Sequence, residues 1–363
     1  MGHEGFIDSH VHLWNLDQIG NLEAIREHIG AGRMGIACIF DRDRVNYNPE
    51  AFAAKAEHPD RYYVFGSLDH SSYFAPGKVS APPLTEQVDR LIAIGADGIK
   101  MLENKPTHRK LVDIPIDGPY FADHFAHLEE TGFPALWHVC DPEEFWDPDL
   151  TPGWAKTRGW GYDETFRPKE QLYSEVESVL NRHPGLRIVF AHFYFLSADL
   201  PSAAALLDRH EGVSFDLAPG IEFLYNTSKN PESSREFFIR YTDRLIFGTD
   251  ISSHNTLDEA WHRTGMIRRW LETDDEFRVP DGADFLLGPP EDGIIRGMKL
   301  PNDVLAKIYG GNFERMVGAR PKALNAQLAA EECLRIAAEV EILTGRKASE
   351  TAAALAAAKL TKE

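Results

Sequence analysis

The residues best equipped for chemistry stand near the start of the chain, in Phe6-Ile7-Asp8-Ser9-His10-Val11-His12-Leu13. Phe6, Ile7, Val11 and Leu13 supply strand-forming bulk. Side chains alternate across a strand, so His10 and His12 point the same way. Imidazole nitrogen ligates zinc and its neighbours, and two such groups on one face of a buried strand suggest an ion held between them. The plainer alternative is two polar residues hydrogen-bonded to loops at a strand end. Deciding between them needs further ligands from elsewhere in the fold.

Apolar runs of strand length alternate with helical stretches along most of the chain, as in βαβ units. After the first strand, strands are expected at 35–40, 62–68, 98–102, 134–139, 186–192, 213–217 and 245–248. Turn residues before several strands mark helix ends, and His58 and His183 read as helix C-terminal residues. Eight strands with intervening helices fit a (β/α)8 TIM barrel, an α/β fold. An open doubly wound sheet is the competing fold, and no GxGxxG follows the first strand to support its dinucleotide-binding form. Residues 1–320 would form the barrel, with a Gly/Pro-rich insertion at 274–300 and a final barrel helix at 302–317. Residues 321–363 read as a helical extension, with helices at 323–343 and 348–360, packing on the barrel or on a neighbouring subunit of a homo-oligomer.

Active sites of such barrels sit at the C-terminal ends of the strands. Strand one ends in His10 and His12, strand four carries Lys100, strand five ends in His138, strand six in His192 and strand eight in Asp250. In a closed barrel the first and last strands are neighbours, so His10, His12 and Asp250 can share one ion only if the sheet closes.

These pieces resemble the amidohydrolase superfamily, and within it the amidohydrolase-2 group of TIM-barrel metal-dependent hydrolases. The resemblance is carried by Asp8-Ser9-His10-Val11-His12, Gly98-Ile99-Lys100, His138, Ala191-His192, Phe247-Gly248-Thr249-Asp250 and Ile308-Tyr309-Gly310-Gly311-Asn312. It covers most of residues 6–318 and not the extension. It implies that His10, His12, His138 and Asp250 ligate a metal, with His192 a catalytic group or a second-metal ligand. Lys100 matches a lysine that bridges two metals as a carbamate in some members and faces substrate in others; one metal with Lys100 toward substrate is expected. Three imidazoles and a carboxylate around an open position suit one divalent ion, Zn2+ before Mn2+. Such an ion acidifies water, Asp250 can move its proton, and His192 can hydrogen-bond the water or a developing oxyanion.

The expected activity is hydrolysis of an amide, ester or lactone bond in a small carboxylate-bearing molecule. Metal-dependent decarboxylation of an aromatic or unsaturated acid is the alternative, and a non-catalytic metal- or ligand-binding barrel the second. Trp14 and His70 could line the substrate pocket, as could Arg158. That arginine lies in a long loop after strand five, rich in Phe145, Trp146, Trp154, Trp160, Tyr162 and Phe166, which reads as a lid or as a small core of its own. Asp216, His254, Glu222 and Tyr225 are lesser candidates. His3, His28, His108, His124 and His127 read as structural or exposed.

The net charge of −19 argues against nucleic acid and anionic membrane as partners. No apolar run approaches a membrane span, and the first strand begins too early for a secretion signal before it. Cys38, Cys140 and Cys333 are isolated thiols, the pattern of a cytoplasmic protein.

Overall fold

The computed structural model describes residues 5–220, 222–280 and 293–362. His3 and the middle of the 274–300 insertion lie outside the described residues. Nine strand segments form one parallel sheet: β1 Phe6–His12, β2 Ala31–Ala37, β3 Tyr62–Ser67, β4 Gly98–Asn104, β5 Ala135–Val139, β6 Ile188–Phe190, β7 Val213–Asp216, β8 Leu245–Ile246 and β9 Ile251–Ser252. β8 pairs with β7 and β9 pairs with β1, so together they fill the eighth position and close the barrel. Backbone bonds from Ser9 N to Phe247 O (3.0 Å) and from Asp250 N to His10 O (2.8 Å) complete the seam.

The barrel interior is apolar below and polar above. Ile7, Tyr63, Phe65, Leu136, Val189 and Ile246 pack together inside it, and Phe313 plugs its N-terminal end. Phe313 belongs to a continuous helical stretch, Asn302–Ala306, Lys307–Gly311 and Asn312–Val317, whose middle turn is π-helical. The Asn312 amide donates to the carbonyls of Thr242 (2.6 Å) and Leu245 (2.7 Å), anchoring that plug under β8. In β1 the pairing with β2 shifts between Asp8 and Val11, a bulge. The extra residue lets Ile7 face the interior below while His10 and His12 face it above.

Helices α1 Ile19–Ile29, α2 Asn48–Glu57, α3 Leu84–Ile94, α4 Pro119–Thr131, α5 Lys169–Arg182, α6 Leu200–Arg209, α7 Pro231–Arg240 and α8 Leu257–Glu272 surround the sheet. α8 starts at a capping box between Thr256 and Glu259. His58 and His183 are the C-cap residues of α2 and α5. The second strand begins earlier than its apolar run suggests, and Phe40 instead joins a hairpin, Phe40–Asp41 with Val45–Asn46. The sixth strand ends earlier than expected because the chain leaves it for a left-handed turn that begins at His192.

Beyond the barrel, α9 Ala326–Thr344 and α10 Ala352–Leu360 pack on each other, and α9 also lies on α2 and α3. Arg335 of α9 pairs with Asp69 (2.8 Å), and Glu332 with Arg90 of α3 (2.6 Å). The extension is thus tied to the loop after β3. Among the described residues no helix is long and apolar enough to cross a membrane. The three cysteines are free and buried.

Candidate metal centre and active site

His10 Nε2, His12 Nε2 and a carboxylate oxygen of Asp250 lie within 4.8 Å of one another, the one group of at least three metal-ligating side chains so placed among the described residues. Asp250 Oδ1 stands 3.1 Å from His12 Nε2 and 3.7 Å from His10 Nε2. The orientation of each ring has its own cause. His10 Nδ1 donates to Asp216 Oδ2 (2.8 Å), and His12 Nδ1 donates to the carbonyl of Ala37 on β2 (2.7 Å). With the proton on Nδ1, each ring keeps its Nε2 lone pair for the centre, as second-shell acceptors do in histidine–metal sites. Burial first, and then the charge of Lys100, holds His10 well below the usual imidazole range, so it stands neutral.

Asp250 is placed by the seam beneath it. Asp8 accepts from the Thr249 amide (3.0 Å) and hydroxyl (2.6 Å), binding β1 to the residue before Asp250. Arg263 of α8, fully buried, donates to the carbonyls of Thr249 and Pro219 and braces the same turn. Asp250 itself has φ 58°, a left-handed conformation that only a well-braced turn sustains in a residue with a side chain.

His192 sits in a stronger case of the same device. His192, Phe193, Tyr194 and Phe195 all have φ between 53° and 57°, at a cost of about 1–2 kcal/mol each. Ring burial offsets it: Phe193 packs among Phe215, Phe223, Phe237 and Phe238, and Tyr194 lies 4.2 Å from Phe190. Asp216 Oδ1 accepts from the His192 amide (2.7 Å), so one carboxylate orients His10 and fixes this turn. His192 Nδ1 donates to the Ala218 carbonyl (3.0 Å), and burial lowers its pKa to about 4. Neutral, with Nε2 bare, it is an acceptor at the site. Of the two roles expected from sequence, that favours a bond from water over donation to an oxyanion.

The remaining expected residues divide. Lys100 is buried with Nζ 3.1 Å from His10 Nε2, its pKa lowered to about 8 by burial, so it lies beside the converging ligand atoms rather than in the open pocket. His138 lies against His192, ring centroids 4.7 Å apart, but its Nε2 donates to the Cys140 carbonyl (2.9 Å) and stands 3.1 Å from Asp141 Oδ1. The structure therefore does not bring its Nε2 to the other three ligand atoms. Trp14 stacks on His12, centroids 5.2 Å apart. His70 is held by Glu103 (2.9 Å) between Phe40 and Phe121, away from the pocket. Arg158 is exposed over the rings of Trp154 and Trp160, on the outside of the long loop. His254 is exposed.

The pocket over this centre is walled by Phe145, Trp154, Trp160 and Phe195, with Lys105, His138, Asp141 and Asp250 as its polar lining. In the long loop Phe145, Ala155 and Tyr162 form a small core with Trp154 and Trp160 packed against it, and Phe145, Trp154 and Trp160 also line the pocket. Lys105 escaped the sequence reading. β4 runs two residues further than its apolar run indicates, and this carries Lys105 to the strand-end face. Its Nζ is gripped by both oxygens of Asp141 (2.7 and 2.8 Å) and lies 4.7 Å from the Trp160 ring. Asp141 also accepts from the Tyr162 hydroxyl.

Residues 7–319 match the family model described as amidohydrolase. A search of curated proteins found no match. Among solved structures, a candidate 2-pyrone-4,6-dicarboxylic acid hydrolase from Pseudomonas putida shares 13% identity over 87% of this chain and 98% of its own, with a TM-score of 0.51. An amidohydrolase from Burkholderia multivorans with bound zinc shares 14% over 87% and 100%, TM-score 0.50. A 5-carboxyvanillate decarboxylase from Sphingomonas paucimobilis shares 14% over 86% and 99%, TM-score 0.50. At these identities the likeness is one of fold, the TIM barrel. The family model spans the barrel from β1 to its terminal helix, and the chain belongs to the amidohydrolase family as an enzyme of that type.

Proposed function

We propose that this enzyme is a metal-dependent hydrolase acting on an amide, ester or lactone bond of a small carboxylate-bearing substrate. The observation that carries the reading is the convergence of His10 Nε2, His12 Nε2 and Asp250 on one point, with both rings held at Nδ1 so that their lone pairs face it. Two imidazoles and a carboxylate fit one divalent ion, Zn2+ in preference to Mn2+, and His138 would complete the set by turning its ring off the Cys140 carbonyl. When bound, the ion supplies Lewis acidity, lowering the pKa of a coordinated water from about 16 to about 7. Asp250 would take a proton from the attacking water and pass it to the leaving oxygen or nitrogen. His192 accepts a hydrogen bond from the water and aims it. Lys105 pairs with the substrate carboxylate, and the Phe145–Trp154–Trp160 roof excludes bulk water.

The aromatic walls favour a second reading, decarboxylation of a flat unsaturated acid, because a planar ring stacks well between such faces. One experiment separates the two. The protein loaded with Zn2+ or Mn2+ is offered 2-pyrone-4,6-dicarboxylate and 5-carboxyvanillate, following ring opening and carbon dioxide release. Ring opening that stops on metal removal supports the first reading, and carbon dioxide release alone replaces it with the second. Protein that takes up no stoichiometric ion would sink both.

A further inference from the structure

Helix α8 presents an exposed apolar face on the outside of the barrel. At 3.6 residues per turn, Leu257, Asp258, Trp261, Gly265, Arg268 and Arg269 share one arc of its surface. The opposite arc is buried and carries Arg263, which braces the turn of Asp250. On the outward arc Trp261 is 53% exposed and Leu257 37%. The indole is steadied from one side by His28 of α1, with ring centroids 5.6 Å apart. A solvent-facing tryptophan with an aliphatic neighbour and a charged rim has the make-up of a protein–protein hot spot.

Gly265, one turn further on, has the complementary shape. It is exposed in mid-helix, and a Cβ added there would meet no atom within 4 Å. Alanine would fit, and glycine weakens a helix interior relative to alanine. Packing within the chain gives no reason for glycine here, whereas close approach of another surface does. Charge is divided along the same face. Asp258 is exposed in the first turn, and Arg269 is exposed in the last, where it also holds Asp275 (2.8 Å).

We propose that α8 is the contact helix of a homodimer, packed antiparallel against its copy. A twofold axis at the level of Arg263 sets Trp261 over the partner's Gly265 and Asp258 beside the partner's Arg269. The aliphatic stem of Arg268 then covers the partner's Leu257. The pairs 261 with 265, 258 with 269 and 257 with 268 are all centred within half a residue of position 263, so one register satisfies them together. A parallel pair would set each residue against itself, like charge on like, and would leave the notch at Gly265 unfilled.

Sedimentation velocity of the full-length protein, between about 1 and about 100 µM, tests this. A monomer–dimer equilibrium with a Kd of about 10 µM or tighter is expected for an interface built on one helix pair. Trp261→Ala, and Gly265→Leu, which fills the notch, should each weaken it at least about thirtyfold. Asp258→Arg and Arg269→Asp should each weaken it about fivefold, and the double variant should recover the affinity of the unaltered protein. Leu334→Glu, at an exposed apolar position on α9, should leave it unchanged. All these positions face solvent, so each variant keeps its fold, checked by circular dichroism. A monomer throughout that range, full affinity in Trp261→Ala or Gly265→Leu, a charge-swapped double no tighter than its singles, or dissociation by Leu334→Glu would overturn the proposal.

Discussion

Two sides of the strand-end face use histidine in opposite ways. Toward the seam of β1 and β9, His10 and His12 are tied at Nδ1 by Asp216 and the Ala37 carbonyl and offer Nε2. Toward β5, His138 is tied at Nε2 by the Cys140 carbonyl and Asp141. The seam side thus gathers its ligand atoms toward one point, whereas the β5 side satisfies itself: Asp141 answers Lys105, His138 and Tyr162 at once. A ligand whose lone pair is already directed binds an ion without first breaking bonds, and one that must turn its ring gives up part of its binding energy. The face reads as a preorganised half and an adaptable half.

The largest test of that division is removal of ligands. His10→Ala and Asp250→Ala should each abolish stoichiometric metal in elemental analysis of purified protein, since each deletes one of three converging atoms. His138→Ala should still retain the ion, with affinity lower by about 10–100-fold. An empty His138→Ala variant would place β5 on equal footing with the seam and break the comparison.

One group on the adaptable half is not satisfied. Glu222, on the loop after β7, is 7% exposed, and among the described residues neither carboxyl oxygen has a side-chain partner. The carboxyl sits where a side chain on pocket-lining Gly220 would be, with Oε2 2.6 Å from that position. Burial, reinforced by Glu144 and Asp141, raises its pKa to about 8. The folded state therefore keeps a proton that the unfolded chain loses near its ordinary value. The stability this gives is complete below about pH 4.5, falls as pH rises, and is gone above about pH 8. Glu222→Gln removes the ionisation. Relative to wild type it should gain on the order of 4 kcal/mol between pH 5 and pH 9, read by urea denaturation at both. Parallel pH curves for the two proteins would show that Glu222 is paired in solution.

How far the sequence foretold this face depends on what each residue needed. His10, His12, Lys100, His138, His192 and Asp250 were readable because polar residues at the ends of apolar runs have few other reasons to be there, and Asp216 was in view at the end of β7. The eight-strand count followed from apolar runs alternating with helical stretches, whereas periodicity left closure open, and the pairing of β9 with β1 settles it. Tautomers and ring directions were not readable. They depend on carbonyls of residues such as Ala37, Ala218 and Cys140, and any side chain can supply a carbonyl. Lys105 and Asp141 were missed because strand ends shift by a residue or two under tertiary contacts, and one such shift moves a side chain from loop to site. The left-handed turn at 192–195 has no glycine to announce it; only the aromatic cluster around Phe193 makes it affordable.

The next test isolates the orienting carboxylates. Asp216→Asn keeps the shape but weakens the acceptor for His10 Nδ1, so metal affinity should fall about 10–100-fold in competition titrations with a chelating indicator. Asp141→Asn touches a carboxylate as deeply buried, 3% exposed against 0%, yet should change affinity by less than about threefold, because it holds His138 off the centre rather than on it. Equal losses in the two variants would mean that both halves are organised around the ion.

The smallest effect is expected at Tyr162, and it asks whether the adaptable half is coupled to the centre at all. The hydroxyl donates to Asp141, and the ring packs with Phe145 and Ala155 in the loop's own small core. Tyr162→Phe keeps the ring and deletes one hydrogen bond. Asp141 retains Lys105 on both oxygens, so it is not stranded, and the cost should be about 1 kcal/mol in urea denaturation. Metal content should be unaltered, because Asp141, the hydroxyl's partner, is not among the three converging groups. A loss of about 3 kcal/mol or more, or a fall in bound metal, would show that the roof loop and the ligand set fold as one cooperative unit, and the division between the two halves would then be one of geometry without energetic consequence.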